Sequence, residues 1–427
     1  MNELQQRVLS YLEQDELVEM LVDLVNIDSP TGYEKEAGDY LASRLDDLGL
    51  KVRQQSVEDG RDNVMGVWEG KPEGPSLMFL GHLDTAPGIG RAEAKIVDGW
   101  VTGKGAANMK SAFPCYYMAT KMLQRAGVDI EGELIIAGVC GEIERAPIGA
   151  HQGQAHRGGG FGARYLVTHG GLADVVINGE PTSHRVQIAN GGYMYLRLTT
   201  RGLSQHAAYK QYGVDAIGKM VTVMAAVNEW EAWYQQHYRH PFITPRVSVG
   251  AIEGGNPTSP ALVADSCHLY VDITLLPGAN LQQIKRDFTA MLRRLSADDP
   301  QLEVEVEVFM TSNGYEIGED EYVVQAMRRA HIEVNGEEPA GIDEFRCNVS
   351  SDNSPLFEYG IRGITYGPAG MSRERPGIYA VYDSEYGEAA PIDGMVRCTQ
   401  AYALAALDIL THPRDEVVGT WTRSRKR

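Results

Sequence analysis

Polar residues stand at the ends of several apolar runs. His82-Leu83-Asp84 closes SLMFLGHLD (76–84), Gly141-Glu142 follows ELIIAGVC (133–140), and Glu180-Pro181-Thr182 follows LADVVING (172–179). A fourth cluster, GKGAANMK (103–110), leads through Asn108 into MKSAFPCYYMATKMLQRAG (109–127). Together these supply imidazole, carboxylate and amide donors, a set suited to a hard or borderline divalent cation. In the His-x-Asp pair, a carboxylate beside an imidazole can fix its tautomer and raise its basicity as a ligand. Asn108 has a second reading, as the cap of the helix that starts near Met109.

The elements that must carry these groups follow from periodicity. Residues 3–26 and 34–48 read as amphipathic helices, and 109–127 as a helix whose first turns accept Pro114. Short apolar strands alternate with these helices, which predicts an α/β sheet with parallel character and functional groups at the strands' carboxyl ends. From about residue 186 the order becomes strand, helix, strand, strand, helix, a compact α+β unit. The α/β pattern is expected to resume near residue 300 with VEVEVFM, a helix over 319–335, the run GIRGITYG and a last helix over 392–411. A catalytic domain of 1–185 and 300–427 is thus expected to carry an insertion over 186–299.

Composition narrows the function. The chain has 427 residues, enough for two domains, and a formal charge of −19. Such acidity argues against nucleic acid and anionic membrane as partners. No apolar run is long enough for a membrane span, and the N-terminal helix lacks the pattern of a signal peptide. Five scattered cysteines without a CxxC point to free buried thiols in a reducing cytoplasm.

The ordered set GHLDT, GKGAANMK, Gly141-Glu142, GEPT and GLSQHAA resembles the M20 family of metallohydrolases, which includes aminoacylases and acetylornithine deacetylase. The block SSDNSPLFEYGIRGITYGPAG extends the likeness toward the C-terminus. The resemblance implies a mixed-sheet catalytic domain of zinc-peptidase type with an inserted α+β dimerisation, or lid, domain. It implies His82, Asn108 and Glu180 as metal-binding positions, Glu142 as general base and Asp84 as the residue that orients His82. It also implies that His206, in the inserted domain, stabilises a developing oxyanion across a homodimer or higher homo-oligomer.

Relatives in that family normally hold two ions, and the departures here all fall on the second one. The bridging aspartate is Asn108, the second carboxylate of a Glu-Glu pair is Ile143, and a late histidine falls near Val381 or Tyr382. Two ions against three carboxylates, and one ion against Glu180 alone, leave the same net positive charge to polarise a substrate and acidify bound water. One divalent metal per chain is therefore expected, Mn²⁺ before Zn²⁺ because the ligands are rich in oxygen.

This equipment suits attack of metal-bound water on an sp² carbon bearing nitrogen. Two small-molecule substrate classes meet that description, an amide carbonyl and an activated aromatic carbon carrying an amino group. Asp272-Ile273-Thr274 lacks an arginine that often meets substrate carboxylates in the family, which weighs against ordinary peptides. Within the family, the whole chain resembles a one-metal manganese member, which implies hydrolytic deamination of 5-nitroanthranilate to 5-nitrosalicylate and ammonia. A conventional amidohydrolase on N-acyl amino acids or dipeptides remains the alternative, and a binding protein that has lost its metals is a third reading. Arg145, Arg157, Arg375 and Tyr382 are the candidates for substrate contacts. The loop RAPIGAHQGQAHRGGGFG (145–162), with His151 and His156, reads equally as a lid, a source of ligands or a plain insertion.

Overall fold

The computed structural model describes residues 1–88, 90–342, 347–378 and 387–419. The chain begins with α1 (Glu3–Leu9), α2 (Gln14–Asn26) and α3 (Lys35–Asp47). The single helix expected over 3–26 is thus two. Ser10 ends the first, its hydroxyl donating to the carbonyl of Arg7, a local bond that competes with helix continuation. Strands β1 (Lys51–Glu58), β2 (Arg61–Glu69) and β3 (Ser76–His82) follow, then the short β4 (Lys95–Val97) and β5 (Trp100–Thr102). Helix α4 (Ala112–Arg125) starts at Ser111, with Pro114 in its first turn, where a missing N–H costs nothing. Next come β6 (Glu133–Val139), α5 (Phe161–Thr168) and β7 (Val175–Asn178).

The second part contains β8 (Ala189–Asn190), β9 (Gly192–Arg201), α6 (Ala216–His237), β10 (Val247–Gly254), β11 (Ser266–Leu275), α7 (Leu281–Asp298), β12 (Val304–Ser312) and β13 (Tyr315–Glu316). The chain then returns through α8 (Tyr322–Asn335), α9 (Asn353–Glu358), β14 (Arg362–Thr365), β15 (Ala389–Pro391), α10 (Ile392–Leu410) and α11 (Arg414–Val418).

Two compact units result. One is Met1–Ile188 with the described parts of Ile317–Asp343 and Ser351–Arg427; the other is Ala189–Glu316 with the described part of Glu344–Ser350. The later boundary differs from the expected residue 300. VEVEVFM does not reopen the first unit, because β12 pairs antiparallel with β9, from Val304 opposite Thr200 to Ser312 opposite Tyr193. An alternating strand of this kind can serve the edge of either sheet, and only the pairing decides.

In the first unit the described strands form a six-stranded mixed sheet in the order β1-β2-β6-β3-β7-β14. Strands β6, β3, β7 and the edge strand β14 run parallel, so their carboxyl ends gather on one side of the sheet. Met78 and Leu80 of β3, Ala137 of β6 and Val176 of β7 pack on one face with Ala163 and Leu166 of α5 and Leu356 of α9. Burial on that face fixes the register, and with it the residues that emerge at the strand ends. The second unit is a four-stranded antiparallel sheet, β10-β11-β9-β12, whose apolar face packs on α6 and α7 through Leu198, Val223, Trp230, Leu269 and Phe288. Among the described residues no helix is long and apolar enough to cross a membrane. All five cysteines are buried and free.

Candidate metal centre

His82 is the last residue of β3, Glu142 lies just beyond β6, and Glu180 lies just beyond β7. Register places His82 opposite Val139, so the three side chains emerge side by side at one sheet edge. All three are buried, and each offers a ligand atom within 4.8 Å of the others. His82 Nε2 is 3.8 Å from Glu142 Oε2 and 3.7 Å from Glu180 Oε1. Asn108 Oδ1 lies 3.2 Å from the same nitrogen. Donors about 2.1 Å from one ion sit roughly 3.0–3.4 Å apart, so these spacings need only small closure to grip a cation. The donor set of one imidazole, two carboxylates and one amide oxygen fits a divalent metal.

Asn108 does not cap the following helix. Ser111 holds the N-cap position of α4, and the side chain of Asn108 turns to His82 instead. The loop that carries it is shaped by Glu388. Glu388 Oε1 accepts from the N–H of Gly105, and Oε2 accepts from those of Ala107 and Asn108, at 3.0, 3.2 and 2.8 Å.

Asp84 orients its neighbours with two different groups. Its main-chain carbonyl accepts from His82 Nδ1 at 2.8 Å, while its carboxylate is 3.5 Å from that nitrogen. The expected carboxylate–imidazole contact is thus replaced at close range by a backbone contact, which leaves Nε2 free to face a metal. The carboxylate itself accepts from Thr31 Oγ1 (2.8 Å), the N–H of Glu142 (2.9 Å) and the N–H of Ile143 (3.2 Å). Burial opposes its charge, but the His82 hydrogen bond and charge, the Glu142 N–H and Thr31 together hold its carboxyl below the usual range. Ile143 brings no ligand; only its N–H is used here.

Gly141 is the hinge between β6 and Glu142. Its φ is +66°, and a Cβ there would lie 2.5 Å from Arg61 Nη2. Only glycine permits both the turn and the guanidinium beneath it.

The electrostatics call for positive charge. Burial works against an imidazolium at His82, yet Glu142, Asp84 and Glu180 outweigh it and lift the imidazole well above its ordinary value. Burial and the charge of Glu180 push the Glu142 carboxyl well up, against the pull of His82. A cation on Nε2 would meet the same demand as that proton.

The remaining candidates fall elsewhere. Arg157 pairs with Glu58, so its charge is used to hold the 145–162 loop. Arg145 is half-buried, with Nη2 3.4 Å from His156 Nδ1. His151 and His156 meet edge to face, their ring centres 5.5 Å apart. The neck of the loop is closed by Gly158 N–H to the carbonyl of Arg145 and by Gly159 N–H to that of Glu142. Arg375 is exposed on a turn in which its N–H donates to Ser372 Oγ. Val381 and Tyr382 lie outside the described residues. His206 belongs to the second unit, where it is exposed and its Nδ1 accepts from the N–H of Ala208.

Sequence reading missed Glu388, Asp352 and the Glu34–Arg61 pair. Arg61 and Glu34 are fully buried and joined by two bonds, at 2.7 and 3.0 Å. Charged residues beside apolar stretches were the only signal for any of them, and such residues are usually solvated.

Comparison with known proteins agrees with this geometry. Residues 188–300 match the M20_dimer model, described as a peptidase dimerisation domain. The chain is 25% identical over 404 residues to N-formyl-4-amino-5-aminomethyl-2-methylpyrimidine deformylase of Bacillus subtilis, covering 86% of this chain and 90% of that protein. It is 24% identical over 382 residues to acetylornithine deacetylase of Myxococcus xanthus, with the same coverage of 86% and 90%. Among solved structures, a tripeptidase from Staphylococcus aureus superposes with a TM-score of 0.72 at 19% identity, covering 93% of this chain and 99% of that one.

Proposed function

We propose that the chain works as an M20-type metal-dependent hydrolase of C–N bonds, with one divalent cation per chain, Mn²⁺ in preference to Zn²⁺. The observation that carries this reading is the group of His82, Glu142 and Glu180, the one such group among the described residues, with neutral Asn108 and Ile143 where a second ion would need carboxylates. When bound, the cation would acidify water and polarise the electrophilic carbon. His82, Glu180 and Asn108 would hold it. Glu142, buried and held through its N–H by Asp84, is placed to take a proton from the nucleophile and return it to the leaving nitrogen. Arg145, half-buried at the neck of the loop, is the candidate arginine proposed to meet an anionic group of the substrate. His206 assists from the inserted domain in a homodimer or larger homo-oligomer, and the enzyme acts in the cytoplasm.

For the substrate, we propose hydrolytic deamination of 5-nitroanthranilate to 5-nitrosalicylate and ammonia, because the chain as a whole resembles 5-nitroanthranilate aminohydrolase, a one-metal member of the family. Amide hydrolysis is the second reading, favoured by the named activities of the deformylase and deacetylase relatives. Metal-loaded protein incubated with 5-nitroanthranilate and, separately, with N-acetylornithine decides between them. Release of ammonia with formation of 5-nitrosalicylate is expected. Acetate from N-acetylornithine, with no ammonia from the aromatic amine, would overturn the first reading. Elemental analysis near two ions per chain would overturn the one-metal reading.

A further inference from the structure

Asp352 sits at the start of α9, on the face of the central sheet where α5 packs. It is 1% exposed, and neither carboxylate oxygen has a hydrogen-bond partner among the described residues. A buried carboxylate without a partner loses its hydration and gains nothing in return, so folded chains rarely keep one without use for it. It is not isolated among apolar groups. Asn178, the last residue of β7, is fully buried and both ends of its amide are unpartnered. Ser354 Oγ is unpartnered as well.

These three residues share one side of the sheet. Thr365 of β14 is the parallel register partner of Asn178, so their side chains project to the same face. Thr365 Oγ1 accepts from Asn353 Nδ2 at 3.2 Å, which fixes that face as the one covered by α9. Asn178 is two residues before Glu180. Asp352 therefore stands beside the metal group. Burial, with the charges of Glu180, Asp84 and Glu144, disfavours its anion, while His82 favours it. The Asp352 carboxylate is not within the ligand cluster itself, which comprises His82, Glu142 and Glu180.

We propose that Asp352 is the counter-charge of the bound cation, acting across the ion's coordination shell rather than as a direct ligand. Asn178 and Ser354 offer the donors and acceptors that would order water between the carboxylate and the ion. The proposal rests on the reading that the cation occupies the His82–Glu142–Glu180 group. It also changes the charge balance of a one-ion site, adding a carboxylate that the lost bridging aspartate no longer supplies.

The test uses the full chain, stripped of metal by a chelator and titrated with Mn²⁺ alone against a competing dye. Asp352→Asn and Asp352→Ser are compared with wild type, Glu180→Gln and His82→Ala, and the melting temperature of each metal-free protein is recorded. Both Asp352 variants are expected to bind Mn²⁺ about 10–100-fold more weakly, the usual effect of losing an outer-shell partner. Both are also expected to melt no lower than wild type without metal, because the carboxylate they replace has no hydrogen-bond partner among the described residues. Affinity within twofold of wild type, alongside a loss in Glu180→Gln, would overturn the proposal and leave the metal centre intact. A lower metal-free melting temperature in Asp352→Asn would overturn it too, by making Asp352 a structural group. Undiminished binding in Glu180→Gln and His82→Ala would remove both the metal-centre reading and the inference that rests on it.

Discussion

Asp84 and Asp352 are both buried carboxylates beside one metal group, yet their surroundings are opposite. Asp84 accepts from a hydroxyl and two backbone N–H groups. Among the described residues, Asp352 accepts from no group. The contrast extends to their neighbours. Near Asp84, Arg61 is matched by Glu34 and donates to the carbonyls of Gln154 and Arg157. Near Asp352, Asn178 and Ser354 also present unmatched polar atoms. One side is complete as folded and serves to hold ligands still. The other keeps polar capacity for something the chain does not itself provide. Leaving buried polar groups unpartnered costs free energy, and the difference between the two sides is what the proposed counter-charge role of Asp352 calls for.

Glu142 joins the two sides, since its N–H is held by Asp84 while its carboxylate enters the metal group. The largest effect is expected there. Glu142→Gln should lower kcat by about 10³-fold or more with bound metal unchanged; a mild loss in steady-state assays would take the base role from Glu142. Next, Arg61→Met attacks the completed side. It strands the Glu34 carboxylate in the interior and should destabilise the chain by about 3–5 kcal/mol in urea unfolding. A cost below 1 kcal/mol would show that this side is less committed than the geometry indicates.

Glu388→Gln should cost about 1–3 kcal/mol, because a Gln NH₂ would face backbone donors that now share a carboxylate. It should also weaken Mn²⁺ binding through the displaced Asn108. Unaltered metal affinity in a dye titration would uncouple that loop from the ion. The smallest effect is expected on the open side. Ser354→Ala removes a hydroxyl with no partner and should change stability by less than about 0.5 kcal/mol in thermal unfolding. A loss well above that would mean that the open side is internally bonded after all.

That His82, Glu142 and Glu180 gather at one place was legible in the sequence, because apolar strands of a parallel sheet deliver their last residues to one edge. His82, Glu142 and Glu180 each follow such a run. Asp352 and Glu388 were not, because SSDNSP and GEAAP have no period, and their partners lie far away along the chain. Glu388 meets Gly105, Ala107 and Asn108 across some 280 residues. Helix existence was read well, and helix ends within a few residues: α3 and α10 lie close to the expected 34–48 and 392–411. The strand Val304–Ser312 was given to the wrong unit because alternation reports a half-buried strand but not its neighbour. The tautomer of His82 depends on a main-chain carbonyl, which no side-chain pattern encodes.

Arg61 grips the 145–162 loop at the carbonyl oxygens of Gln154 and Arg157, atoms that every residue type carries. The loop's neck is likewise closed by backbone bonds to Glu142 and Arg145. Apart from the Arg157–Glu58 pair and the positive φ of Gly149 and Gly153, which are to be kept, its frame thus depends little on the side chains between them. That makes residues 146–153 a natural cassette for a randomised library, in which new specificities could be selected while the catalytic frame is left alone.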